Sequence, residues 1–198
     1  MTTKQLLYTG TASAIVFWLS NIIAAYIHGN YNFLSNTVSE LGALGTKSHQ
    51  FMTVCMYISG IFGVIFALTL IAACVQLGIN VIPALTAFSI PFTTLWAAWY
   101  PMGTPEHSET GWVVFIIYIG VILSLFLWRE PKLKTMRIFS GISLVLLMLI
   151  FLRFTPFFAN YEGLAQRFAH MGWSVWFVSI NIQFVKFFNN KISFKNAN

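Results

Sequence analysis

The chain has 198 residues, of which 58% are hydrophobic and only 8% charged, with a formal net charge of +6. Soluble domains carry about 25% charged residues, and a domain this small has too much surface to absorb such a deficit; a lipid solvent removes the conflict. The basic residues lie between apolar segments and form no patch, which excludes a nucleic-acid surface and makes them orientation signals.

Six apolar segments are long enough for roughly 30 Å of hydrocarbon. They predict an all-α, six-transmembrane-helix bundle, a single domain over residues 1–198, with both termini cytoplasmic. The first segment, Leu6–Ile27, is longer than the roughly 7–15 residues of a signal-peptide core, so an uncleaved first helix is expected. The loop that follows, Gly29–Gln50, is the longest, and long ordered loops are usually functional. Its Thr37 and Glu40 have capping-box spacing, with a stop near Gly45. The same turn would present Ser39 and Glu40 to a ligand. The second segment, Phe51–Val75, holds Cys55 and Cys74, roughly 28 Å apart along a helix and so unable to pair. A short turn around Leu77–Asn80 leads to the third, Val81–Trp99, where Pro83 and Pro91 predict a kink.

The third loop runs from Trp99 to Glu109. Thr104-Pro105-Glu106 reads as a helix start: cap, proline at the first position, acid in the first turn. That pattern does not use His107 or Glu109, which suit general acid–base work or a metal site. The remaining segments are Trp112–Trp128, Ile138–Leu152 and Phe168–Phe184. Ahead of the last, Asn160 can cap the helix and Glu162 complements its dipole. Glu162, Gln166 and His170 share one helix face, and Arg167 and His170 are i, i+3 neighbours. From a start near Asn160, Arg167 and His170 enter the membrane by roughly 10 and 15 Å. Ionisable groups at such depth are functional candidates by default.

Eight basic residues (Lys4, Arg129, Lys132, Lys134, Arg137, Lys186, Lys191, Lys195) fall at the termini and even loops, against Lys47, Arg153 and Arg167 at the odd ones. This bias sets the cytoplasmic side. Trp99, Trp112 and Trp128 are expected in interfacial belts. On the outer side stand Glu40, Glu106, Glu109 and Glu162, with all four histidines (His28, His49, His107, His170); only Glu130 is inside. The chain has no aspartate, which excludes aspartyl proteases, aspartate-dependent phosphotransferases and DxD glycosyltransferases. No H-E-x-x-H or P-loop is present. No carboxylate sits mid-membrane, which argues against ion-coupled transport. Paired intrahelical histidines for haem b are missing too.

The Ser39-Glu40-Leu41-Gly42 turn, the Tyr100-Pro101 turn, His107 and the Gly163-Leu164-x-Gln166-Arg167 run together carry a resemblance. On these residues the chain resembles the prokaryotic membrane family catalogued as domain of unknown function 998, over most of its length. Where that family often has aspartate in its first- and third-loop motifs, this chain has Glu40 and Met102-Gly103. The resemblance implies a six-helix bundle and supplies no activity. The first loop is also faintly similar to eukaryotic six-helix lipid-remodelling membrane proteins, which points toward lipids.

These readings converge on a polar site at the non-cytoplasmic face that binds or modifies a lipid or amphiphile. Ser39, Glu40, His107 and Glu109 are the catalytic candidates. Tyr100, Glu162, Gln166, Arg167 and His170 are the ligand-binding ones, with the planar fork of Arg167 suited to an anionic head group. His107 and His170 are the candidate metal ligands, and the sequence specifies no cofactor. Expected partners are membrane lipid and a small amphiphile, in a multi-pass protein of the bacterial inner membrane. A rival reading is a non-catalytic assembly or regulatory subunit whose outer loops form a protein interface. A third, facilitative transport, requires a continuous polar path.

Overall fold

Apolar runs of this length have only helix available to satisfy their backbone in lipid, and helix is what forms. The computed structural model describes residues 1–195. Its α-helices are α1 (Thr3–Leu6), α2 (Tyr8–His28), α3 (Val38–Leu41), α4 (His49–Leu77), α5 (Ile82–Thr86), α6 (Ser89–Trp99), α7 (Phe115–Leu127), α8 (Lys134–Met148) and α9 (Glu162–Lys195). Short 3-10 turns cover Pro105–Thr110, Pro131–Leu133, Leu149–Phe154 and Pro156–Phe158. No β-strand occurs among the described residues.

Three helical stretches are long and apolar enough to cross a membrane by length and composition: Thr3–His28, His49–Leu77 and Pro131–Phe154. The other predicted spans are helical but differ in form. Val81–Trp99 divides into α5 and α6 around Ala87 and Phe88, with Pro83 in the first turn of α5 and Pro91 inside α6. The α7 helix has 13 residues, about 20 Å at the usual rise. The α9 helix has 34 residues but mixes Gln166, Arg167, His170, Asn181, Gln183 and Lys186 into its apolar sequence.

The helices close a ring. α2 packs on α4, α4 on α5 and α6, α5 on α7, α7 on α8, α8 on α9, and α9 back on α2. Such contacts rest on small residues and on hydrogen bonds between helices. Ser13 and Ser59 donate reciprocally to each other's carbonyls at 2.9 and 3.0 Å, joining α2 to α4. Ser143 donates to the Gly172 carbonyl at 2.5 Å, and a Cβ on Gly172 would lie 2.7 Å from Leu147 Cγ; α8 and α9 meet there because glycine lets them. The outer faces carry exposed Ile15, Leu19 and Ile22 on α2, Ile61 and Leu68 on α4, and Ile138 and Val145 on α8. An apolar surface of this extent is a contact surface for lipid or protein.

Two ends are distinguishable. At one, Leu44 N–H donates to the Met102 carbonyl at 2.9 Å, and the α9 amides of Gly163 and Leu164 donate to the carbonyls of Ser35 and Leu34. The odd loops are therefore bonded together. At the other end, Trp128 Nε1 donates to the Asn80 carbonyl at 2.7 Å, tying the even loops. Trp128 is thus not an interfacial anchor: it is fully buried, against Trp176 and Phe184, because its indole N–H finds a carbonyl inside. Trp99 and Trp112 are exposed, as belt residues are. Cys55 and Cys74 are both free.

Candidate functional site

The first loop is shaped by its own polar residues. Thr37 N–H and hydroxyl both donate to Glu40 Oε1, at 2.8 and 3.0 Å, and Asn36 Nδ2 donates to Oε2 at 2.6 Å. Partial burial alone would raise the Glu40 carboxyl; donation from Thr37 and Asn36, with His28 nearby, outweighs it and holds the carboxyl below its usual range. The expected box at Thr37 and Glu40 is therefore real, and it uses both Glu40 oxygens. Leu41 behind it is fully buried. His49 Nδ1 donates to the Gly42 carbonyl at 2.7 Å and anchors the far end of the turn to α4.

This loop then serves as the cap of α9. The carbonyls of Phe33, Leu34, Ser35 and Asn36 all turn toward the start of α9. Ser35 and Leu34 take the free amides of Gly163 and Leu164 at 3.2 and 2.9 Å, donors that a helix end otherwise leaves unsatisfied. Asn160 does not cap the helix as its sequence position suggests; the helix starts at Glu162 and the distant loop supplies the acceptors. Arg167, 8% exposed, takes the rest. Its Nη1 donates to the carbonyls of Phe33 (2.7 Å), Asn36 (2.9 Å) and Gly163 (2.9 Å), and its Nη2 to the Tyr31 hydroxyl. The guanidinium also sits over the Phe33 ring, 4.9 Å from its centroid. Tyr31 in turn donates to the Thr37 carbonyl at 2.7 Å; burial raises its phenol and prevails over the lowering effect of Arg167. Gly163 is required here, since a Cβ would collide with the Asn36 carbonyl oxygen. Gln166 completes the seam, accepting Val38 N–H at 2.6 Å.

Beneath this cap lies a cavity with two lobes. The inner lobe, about 330 Å³, is walled by Ile117, Tyr118, Leu147, Phe151, Phe154 and Trp173. The outer lobe, about 390 Å³, reaches Val38, Ser39, Gly42, Met102, His107 and Ser108. Both lobes share Phe17, Thr93, Thr94, Arg153, Gln166 and His170. Volumes of this order, with apolar walls and few polar groups, are those of small-molecule sites.

The polar wall has defined hydrogen-bonding states. His107 Nδ1 donates to the Tyr100 carbonyl at 2.7 Å, which in the neutral ring leaves the lone pair on Nε2. His170 is the reverse. Its Nδ1 accepts from the Trp173 indole at 3.1 Å, which places the proton on Nε2, and that Nε2 is buried with no partner. The His170 ring packs on Phe17, 4.7 Å between centroids. Thr93 and Thr94 donate to carbonyls of their own helix and offer lone pairs to the cavity. Arg153 stands at the rim, ion-paired with Glu162 at 3.0 Å.

Of the residues singled out in the sequence, Ser39, His107, Gln166 and His170 come together on the cavity. Glu162 joins at the rim through Arg153. Glu40 and Arg167 instead build the cap, Tyr100 contributes its carbonyl to His107, and Glu109 is exposed on the Pro105–Thr110 turn. That turn is 3-10, and Thr104 bonds back to the Pro101 carbonyl without capping it. No group of three His, Cys, Asp or Glu suited to a metal occurs among the described residues. Arg153, Thr93, Thr94 and Trp173 are site residues that the sequence reading passed over. The visible signal was a threonine pair inside an apolar run and an arginine at the end of one.

The fold and this site define an all-helical protein of membrane type, with a mixed-polarity cavity closed by a loop that also caps the last helix. The chain belongs to the family described as Protein of unknown function (DUF998), whose model matches residues 11–181. The match takes in every motif residue of the cap and cavity. No curated protein and no solved structure shows a significant match to the chain.

Proposed function

We propose that this protein crosses the bacterial inner membrane six times, with both termini cytoplasmic, and binds a lipid or other amphiphile in the cavity at its non-cytoplasmic end. The orientation rests on the eight-to-three bias of basic residues toward the termini and even loops. The ligand class rests on one observation: the cavity pairs an aromatic and aliphatic inner lobe with a polar wall of His107, Arg153, Gln166 and His170. An amphiphile is the ligand whose two parts match those two surfaces. The bundle below is filled by Phe66, Trp176, Phe177, Ile180 and Phe184, all fully buried, so the polar wall leads to a plug; this favours a binding site over a transport path. Within the reading, Ser39 and His107 face the same lobe, and His107 Nε2 is the group placed to accept a proton.

The test is native mass spectrometry of protein released from membranes in a mild detergent. Wild type is expected to carry a bound amphiphile. Ala169 also lines the inner lobe, and Thr94→Phe combined with Ala169→Phe, which fills the cavity, is expected to lose it while keeping the thermal midpoint within a few degrees. Retention of the same adduct by the filled variant refutes the reading.

A further inference from the structure

Resting on the amphiphile reading, we infer that the cavity receives an oxyanion head on a single chain, and that His170 Nε2–H is the donor that binds it.

The Trp173 indole can only donate, so its bond to His170 Nδ1 at 3.1 Å fixes the ring with its proton on Nε2. That N–H is buried without a partner, on a residue that lines both lobes. Native structures rarely leave such a donor unmade, because desolvation is not returned. A ligand acceptor completes it. One turn earlier on the same face, Gln166 commits its Oε1 to Val38 N–H, which leaves its NH2 unengaged on the same wall. The two donors belong to residues one helical turn apart that line the same two lobes.

Charge selects the acceptor. Arg153 lines both lobes and no carboxylate does among the described residues. Glu162 is paired with Arg153 at the rim, and Glu40 spends its oxygens on Asn36 and Thr37. Arg167, three residues before His170, has only carbonyls and a phenol as partners and no carboxylate among the described residues. An oxyanion complements this field. An ammonium would meet Arg153 on the wall and no carboxylate among its described lining residues, an arrangement that disfavours it. The inner lobe, about 330 Å³, is at the small end of ligand sites and suits one chain.

The test uses full-length protein in maltoside detergent with four photoreactive dodecyl probes. Their heads are a carboxylate, a phosphate monoester, an alcohol and a trimethylammonium. Crosslinked peptides are mapped by mass spectrometry. The two anionic probes are expected to label the segments of Phe151 and Trp173 about tenfold more than the other two, the ratio that one charge-assisted hydrogen bond supplies. His170→Phe should bring the anionic probes down to the level of the alcohol probe measured on the same variant. His170→Gln, which retains a donor, should recover part of the difference. Excess acetate or inorganic phosphate should not compete. If no probe labels the cavity, the amphiphile reading itself fails. Equal labelling by the alcohol or the ammonium leaves that reading intact and overturns the oxyanion head. A preference unchanged in His170→Phe overturns the role of His170, and competition by the small anions overturns the chain.

Discussion

Arg167 has no carboxylate partner among the described residues, yet its burial is accounted for. A buried guanidinium must have its donors matched or it costs several kcal/mol. Here a row of backbone carbonyls does that work, with the Tyr31 oxygen and the Phe33 ring adding to it. Arginine suits the position because its donors are held in a rigid fork; lysine offers a compact point charge. Arg167→Gln is expected to lower stability by about 1–3 kcal/mol, seen as a fall in thermal midpoint. Amide exchange at Gly163 and Leu164 should rise with it, since their acceptors lie in the segment that Arg167 holds. Exchange within α4 should not change. As a sequence feature, Arg167 stood out by its depth in an apolar helix and suggested a ligand anion. Two of its partners are carbonyls more than 130 positions away, and backbone carbonyls leave no mark in a sequence. His170 is a different case. Its place on the Gln166 face was readable from spacing, whereas its proton position depends on Trp173 and was not.

At the scale of elements, hydropathy located every helix of the ring, because lipid leaves an apolar run no alternative. It did not locate their ends. The α9 helix begins six residues ahead of its apolar segment, since its first amides find acceptors in the first loop. The division between α5 and α6 follows the prolines, which were legible; the 3-10 form of Pro105–Thr110 was not. The contact of α8 with α9 depends on Gly172 lying against Leu147 and Ser143. Gly172→Val is expected to cost about 1–3 kcal/mol by overpacking, and Gly172→Ala less. Both should also disturb the cavity, because Leu147 is one of its walls. Thermal unfolding with and without the carboxylate probe would separate the two effects. If Gly172→Val leaves the thermal midpoint unmoved, the tight crossing is wrong.

For the whole molecule, the odd loops gather at one end with the four histidines, and the even loops at the other with Glu130. Sidedness in a membrane then becomes a single measurable choice. Phe157→Cys, at an exposed position of the fifth loop, is expected to react with an impermeant maleimide added outside intact cells. Lys134→Cys, at the start of α8, should react only after permeabilisation. The opposite pattern would reverse the orientation and place the cavity at the cytoplasmic end. The filled lower half, from Phe66 and Phe177 at 4.6 Å between rings to Trp128 on Phe184, means that whatever enters the cavity leaves by the way it came or sideways.

The cap of α9 has one more consequence, for biogenesis. The acceptors of its first turn are synthesised more than 125 residues before the amides they serve, and the ring closes only when α9 returns to α2. Until that last segment leaves the ribosome, the hairpin of α2 and α4 holds a loop with four carbonyls aimed at nothing. Such contacts between distant parts of a chain form late. The docking of α9 is thus the event that finishes the cavity, and a translation product arrested before it would be a clear target for membrane quality control.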